Sequence, residues 1–458
     1  MANTHDLVVR GGTVVSPMTA EVLDVAIDSE QIAAVGSGLR GTREIDASGL
    51  LVLPGVIDAH THMALPVAGT RSSDDFRTGS AAAAAGGVTT IVDFTVGGQD
   101  TSIPEDIERR RTDAAESIID YAFHAEVIGW RPGREWEIRD AIGLGVTSYK
   151  FFTAYETSGR RTSPEEMATA FGALEEWNAV ALVHCEDEAL ISSIADGLTA
   201  EEIGRMATLA EARPDLCERA AIAQVAQIAQ STGCRTHIVH VSSALGLQAV
   251  RDGRRSGAHL TAETCPQYLL LTRDVYGREN GHLFSASPAL RTREDQQALW
   301  GGLRSRDIDY IATDHCPFTI GQKAWQGDFR ELPYGLPGVE TLLPLVHSEG
   351  VGSGRLSLND LPRLLSEGPA RTLGLYPRKG VIAPGSDADL ILVDPTMTWC
   401  LSADTLHMNT DFSPYEGWSG AGCVTTTISR GSVIFERNSV CGEARRGVFL
   451  SRGLEPIG

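Results

Sequence analysis

The chain has no apolar run approaching the roughly 18 residues a membrane helix needs. Its first residues, Met1-Ala-Asn-Thr-His-Asp6, offer neither the basic nor the apolar segment of a secretory signal. Basic residues are in short supply, since 39 Lys+Arg against 60 Asp+Glu leave a net charge of −21. A surface of that sign repels phosphate backbones and anionic lipid, so neither nucleic acid nor a membrane is expected as a partner. The eight cysteines are scattered without a C-x-x-C pair and read as reduced, buried thiols. A cytoplasmic protein is expected. No G-x-G-x-x-G follows an early strand, which sets aside a dinucleotide-binding open sheet.

What is present is ample core material: 458 residues, 42% hydrophobic and 22% charged. At roughly 150 residues per domain the length suggests about three domains, although one α/β barrel absorbs about 250. The 48 glycines point to many tight turns between short elements.

The first fifty residues read as β structure. Leu7-Val-Val-Arg-Gly-Gly-Thr-Val-Val15 looks like a hairpin, two β-branched runs around a glycine turn. Val22 to Val35 and Arg43 to Val52 continue as short strands. Ser429-Arg-Gly-Ser-Val-Ile-Phe435 echoes the opening motif, and Asp387–Asp394 is another strand. The two termini, residues 1–54 and 376–458, are therefore expected to form one small β-sandwich domain, the second part including a tail.

Residues 55–375 alternate differently. Eight short apolar runs read as strands: Val56–Met63, Val88–Phe94, Ala122–Ile128, Ser148–Thr153, Val180–Cys185, Thr236–Val241, His259–Thr264 and Tyr310–His315. Helix-like stretches lie between them, such as Ile103–Ser117, Pro164–Trp177 and Cys217–Gln230. Alternating β and α elements imply a parallel sheet, and eight repeats imply an α/β fold closed into a (β/α)8 TIM barrel.

The polar residues at the carboxyl ends of these runs carry the chemistry. Asp58-Ala-His60-Thr-His62 places two imidazoles on one face of a strand, where they can converge on one metal. The fourth run carries Lys150, and His184, His240 and Thr313-Asp314-His315 end further runs, on the face where barrel enzymes keep their active sites. Singly, each has a structural explanation; spread over several strands of one face they point to a metal centre. An unmodified ammonium makes no sense beside divalent cations. Reaction of Lys150 with CO2 would turn it into an anionic carbamate able to bridge two metals.

These residues resemble the amidohydrolase superfamily, in its cyclic-amidase branch of dihydropyrimidinases, hydantoinases, allantoinases and dihydroorotases. The likeness covers almost the whole chain, from Pro54-Gly55 to Lys379-Gly-Val-Ile-Ala-Pro-Gly-Ser-Asp-Ala-Asp-Leu390. Lys150-Phe-Phe-Thr-Ala-Tyr155, Glu263-Thr-Cys-Pro-Gln-Tyr-Leu269, Asp314-His-Cys-Pro-Phe318 with Gln322-Lys323, and His407–Gly417 resemble dihydropyrimidinase and hydantoinase in particular.

The resemblance implies two zinc ions per subunit, or other divalent metals. His60, His62 and Asp314 would hold one, His184 and His240 the other, with carbamylated Lys150 between them. A metal-bridging hydroxide would attack the ring carbonyl, with Asp314 shuttling the proton to the leaving nitrogen. Tyr155 would donate to the developing oxyanion, and the main chain of Ser287 and of Tyr334 would contact the ring. Tyr334 departs from the family, which usually has asparagine there; a bulkier ring implies either a narrower pocket or a change in which ring it accepts. The product would be an N-carbamoyl amino acid, and a homotetramer is implied.

The loops Met63–Asp74 and Tyr155–Thr162 are candidates for substituent selectivity, with Leu65, Phe76 and Phe152 as apolar walls. Asp58 and His315 read as supporting residues, and Cys185 and Cys316 as non-ligands. Allantoinase is the nearest rival function. A non-catalytic dihydropyrimidinase-like assembly protein is another, but it would lack ligands that are all present here.

Overall fold

A computed structural model describes residues 4–453. Met1 to Asn3 of the amino-terminal stretch, and residues 454–458 of the tail, lie outside the described residues. Five strands open the chain: β1 (Thr4–Val15), β2 (Ala20–Asp28), β3 (Gln31–Gly36), β4 (Arg40–Asp46) and β5 (Leu51–Pro54). The expected hairpin over Leu7–Val15 is instead one continuous strand, β1, with a register shift between Val9 and Gly12. The glycines serve a bulge. Gly11 takes φ +69, and its N–H reaches Asp24 Oδ1 at 2.9 Å, while a Cβ on Gly12 would meet Val52 at 2.4 Å. The chain turns at Ser16–Thr19, where Ser16 N–H donates to Thr19 O.

The barrel follows. Its strands are β6 (Val56–Thr61) and, after a short hairpin of β7 (Pro66–Val67) and β8 (Thr70–Arg71), β9 (Val88–Phe94), β10 (Asp120–Glu126), β11 (Ser148–Phe152), β12 (Val180–His184), β13 (Arg235–Ile238), β14 (Leu260–Thr264) and β15 (Tyr310–Ile311). The seven pairings among these eight strands are sequential and parallel, β6 beside β9 and so on to β15. Closure comes just past the last strand: Thr61 pairs with His315, and His62 N–H donates to His315 O at 2.8 Å. Helices begin where capping residues dictate, as at Ser102/Glu105, Ser163/Glu166 and Thr292/Asp295. Their apolar faces pack on the barrel in one large core.

Four late strands, β16 (Leu390–Cys400), β17 (Ser419–Ser429), β18 (Ser432–Glu436) and β19 (Ser439–Val440), return to the first sheet. There β16 pairs antiparallel with β5, Leu390 opposite Pro54, so both ends of the chain share one mixed nine-stranded sheet. The sheet forks at β1, whose first half pairs with β4 and whose second half pairs with β5. Leu7, Val25, Ile27, Val52, Leu390 and Ile428 fill its separate core. The echo motif is a true hairpin, β17 turning at Arg430-Gly431 into β18. Beyond it the tail leaves this sheet: Leu450 N–H donates to Tyr121 O at 2.7 Å, and Leu450 is buried beneath the barrel with Ile57 and Tyr310. Among the described residues no helix is long and apolar enough to cross a membrane.

Candidate metal centre

His60 and His62 alternate on β6 and its exit, so both rings reach the same mouth of the barrel. Their Nε2 atoms stand 3.2 Å apart, and Asp314 Oδ1 lies 3.2 Å from each. Asp314 is held there at φ +53, a left-handed conformation that a non-glycine residue adopts at a cost. On the other side of the mouth, His184 Nδ1 faces His240 Nε2 at 3.0 Å. His240 also takes a positive φ, +40. The His60 and His240 ring centroids are 5.6 Å apart, so the two groups share one site. Lys150 is buried on β11 with Nζ over the Phe94 and Phe152 rings, at 5.1 and 5.2 Å.

The electrostatics suit a cation. Burial works against protonating His60, but the Asp314 and Glu263 carboxylates outweigh it and raise its pKa to about 9. Burial holds His62 below its ordinary value and His240 far below, the latter also repelled by His184 and Lys150. Burial lowers the Lys150 amine to about 8 against the pull of Asp314 and Glu263, which makes the neutral, nucleophilic amine accessible. Buried His62 Nδ1 and His240 Nδ1 have no hydrogen-bond partner among the described residues. Ring nitrogens aimed at one another and at a carboxylate present more lone pairs than one proton can satisfy. His60, His62 and Asp314 offer ligand atoms within 4.8 Å of one another, and this donor set fits a divalent cation.

Four carboxylates fix these groups. Glu263 on β14 takes His60 Nδ1 at 2.5 Å and His237 Nε2 at 3.1 Å. Glu186, two residues after His184, takes His184 Nε2 at 2.9 Å and accepts from Arg213 and Ser287. Asp58 accepts from Thr313 N–H at 3.0 Å, and Asp74 faces His315 Nε2 at 3.1 Å. Asp58 and His315 are thus supporting residues, as the sequence reading has it. The roles of Glu263, Glu186, Arg213 and Asp74 were not read from the sequence. Only the E-x-H spacing reversed, His184-x-Glu186, was a local clue; the others meet their partners through the fold.

A cavity of about 580 Å³ opens above the site. His60, His62, Lys150, Tyr155, His184, His240, Ser287, Asp314 and Tyr334 all line it. The Tyr155 hydroxyl is 2.6 Å from Ser287 Oγ, and burial pushes its pKa up to about 12, so it remains a proton donor through neutral pH. Tyr334 donates its hydroxyl to Phe329 O at 3.1 Å. Leu65 and Phe152 are walls of the cavity, as expected. Phe76 is not. It lies on the inward face of helix Phe76–Ala85, 1% exposed, beneath the Arg110 guanidinium. Cys185 and Cys316 are buried, which pushes both thiols up and disfavours the thiolate a metal would need.

The pattern of the amidohydrolase family matches residues 51–434. A D-phenylhydantoinase of Escherichia coli O1:K1 / APEC is 39% identical over 459 residues, covering 97% of this chain and 98% of that protein. Among solved structures, a dihydropyrimidinase from Brevibacillus agri NCHU1002 is similar with a TM-score of 0.95 and 34% identity, covering 98% of each chain. A D-hydantoinase from a Bacillus sp. AR9 is similar with a TM-score of 0.95 and 36% identity, over 98% of this chain and 99% of that one.

Proposed function

The chain belongs to the amidohydrolase family and is a metal-dependent hydrolase of cyclic amides; on that premise we propose that it opens hydantoin and dihydropyrimidine rings to N-carbamoyl amino acids. The observation that carries the reading is the triangle of His60, His62 and Asp314, 3.2 Å on each side, in the wall of a cavity of about 580 Å³. An allantoinase, and a non-catalytic assembly protein, are not favoured by these relatives.

In this reading the ions are two zinc ions. His60, His62 and Asp314 would hold one, His184 and His240 the other, and Lys150 as a carbamate would supply a further anionic ligand. The carbamate forms when the Lys150 amine attacks CO2 and loses a proton, leaving an anionic two-oxygen ligand. Bound there, the metals would lower the pKa of a water and polarise the scissile carbonyl. Asp314 would accept a proton from the attacking water and return it to the leaving ring nitrogen. Tyr155 donates its hydroxyl hydrogen bond to the carbonyl oxygen as negative charge develops there. The main chain at Ser287 and Tyr334 orients the ring, while the loops Met63–Asp74 and Tyr155–Thr162 wall the ring substituent. The catalytic barrel is assigned to residues 55–375 and the β-sandwich domain to 1–54 with 376–458, the latter part including the tail, in a cytoplasmic homotetramer.

The test is ring opening of dihydrouracil, hydantoin, phenylhydantoin and allantoin by zinc-supplemented protein, followed as loss of ultraviolet absorbance. Turnover of the first three supports the reading and shows that Tyr334 is tolerated. Turnover of allantoin alone overturns it in favour of allantoinase. Silence on all four overturns the substrate class.

A further inference from the structure

The Gln322-Lys323 pair lies eight and nine residues beyond Asp314, outside the metal cluster, and nothing in the proposed chemistry uses it. Lys323 is 1% exposed, yet it pairs with no carboxylate among the described residues. Its Nζ donates to Leu283 O, Ser285 O and Ser285 Oγ, each at 3.0 Å, and to Gly335 O at 2.6 Å. A buried ammonium held only by neutral oxygens is costly, and burial lowers the Lys323 amine to about 7. Such a group persists where its geometry is needed.

Its acceptors lie on two segments that are distant in sequence. Ser285 immediately precedes Ala286 and Ser287, both in the cavity wall, and Gly335 follows Tyr334 there. The two segments also touch directly, with Gly335 N–H donating to Ser285 O at 3.0 Å and Ser285 Oγ donating to Pro333 O at 3.0 Å. The approach is close enough to require glycine: a Cβ on Gly335 would meet Cys316 O at 2.5 Å. Lys323 closes this junction from below.

Gln322 reaches the opposite way. Its Nε2 donates to Thr70 Oγ1 at 2.8 Å and Arg71 O at 2.7 Å, and its Oε1 accepts from Thr319 N–H at 2.8 Å. Thr70 and Arg71 form β8, the second arm of the hairpin whose turn brings Val67 and Ala68 into the cavity.

We infer that Gln322 and Lys323 are positioning residues that strut the cavity rim, Lys323 fixing the main chain that orients the ring and Gln322 fixing the hairpin beside the ring substituent. The assignment rests on the proposed function for what the two walls recognise. The strut itself rests on the contacts. Loss of Lys323 then displaces the Ser285–Ser287 and Pro333–Gly335 segments together and weakens ring binding while leaving the metals in place. Loss of Gln322 alters discrimination between rings with and without a substituent.

The experiment uses the full-length, zinc-loaded protein. Lys323→Met is expected to keep wild-type zinc content, to raise KM for hydantoin about tenfold with a smaller change in kcat, and to speed amide exchange over 283–287 and 333–337 together. Ser285→Ala, which removes one acceptor and the bond to Pro333, is expected to change the same quantities in the same direction by less, and it decides the matter if Lys323→Met does not fold. Gln322→Ala is expected to shift the ratio of kcat/KM for phenylhydantoin over hydantoin severalfold. Wild-type exchange in both segments, or zinc lost along with activity, overturns the strut. If the wild-type protein opens no cyclic amide while Lys323→Met still loosens both segments, the strut stands and the assigned substrate fails.

Discussion

Glu263 Oε1 stands 2.5 Å from His60 Nδ1, joining β14 to β6 across 203 residues of sequence. The carboxylate fixes which His60 nitrogen faces the cluster, and its other oxygen holds His237 Nε2 at 3.1 Å. Such partners orient a ligating imidazole and raise its basicity. Glu263→Gln keeps the shape and removes the charge, so zinc affinity should fall about 10- to 100-fold. Competition against a chelator measures it, and unchanged affinity would remove Glu263 from the site.

Lys150 and Asp314 should separate by readout. Lys150→Ala should lose metal and turnover together, because no other side chain replaces a bridging carbamate. Asp314→Asn should keep the fold by circular dichroism while kcat drops on the order of 100- to 10,000-fold, the range for loss of a general acid–base group. Full activity in Lys150→Ala would sink the carbamate, and surviving turnover in Asp314→Asn would require another base.

Tyr155 sits at φ +72 with its hydroxyl on Ser287 Oγ, so its backbone strain is spent on aiming one donor. Tyr155→Phe should lower kcat roughly 100- to 1,000-fold, as for other oxyanion donors, with KM changed far less. Steady-state kinetics on hydantoin decide it.

Lys379 anchors the barrel to the second sheet. Its Nζ lies 2.7 Å from Asp120 and Asp389 and 3.0 Å from Asp387, all buried, and these carboxylates raise its pKa despite burial. Lys379→Met leaves Asp389 without a cation, while Asp120 keeps Arg430 and Asp387 keeps Arg378, and should cost about 3–5 kcal/mol of stability. The check is a denaturant melt, in which a change below 1 kcal/mol (the level of a surface pair) would contradict the account.

Stability should also fall with pH through the His407–Glu340 pair, 2.7 Å apart. The hydrogen bond to Glu340 raises the folded-state pKa of His407. A raised histidine contributes fully below its unfolded pKa of about 6.5, and loses that contribution as pH rises through the folded value. Burial likewise raises Glu340, which gives the same sign. His407→Gln should flatten the decline in melting temperature above pH 6.5, a value near the ordinary histidine pKa. An unaltered slope would assign the pH dependence elsewhere.

Much of the metal centre was legible because strand periodicity is local. His60-x-His62 fixes a shared face wherever β6 lies, and polar residues at the ends of apolar runs mark the barrel mouth. Glycine chemistry was less legible. Gly11-Gly12 fits a turn or a bulge equally well by composition, and only the approach of Val52 and the Asp24 side chain selects the bulge. Phe76 fits a pocket wall by its place after β6, yet helix phase turns it inward.

By itself, then, the sequence determined the order of strands and helices, the side chains that end each strand, and the chemistry those side chains can perform, since each follows from spacing within a few residues. The tertiary structure decided which carboxylate holds which histidine, where the tail docks beneath the barrel, and how Lys323 joins two loops some fifty residues apart. Those pairings depend on barrel closure through Thr61 and His315, which brings the first and last strands together and has no period in the sequence for a local reading to detect.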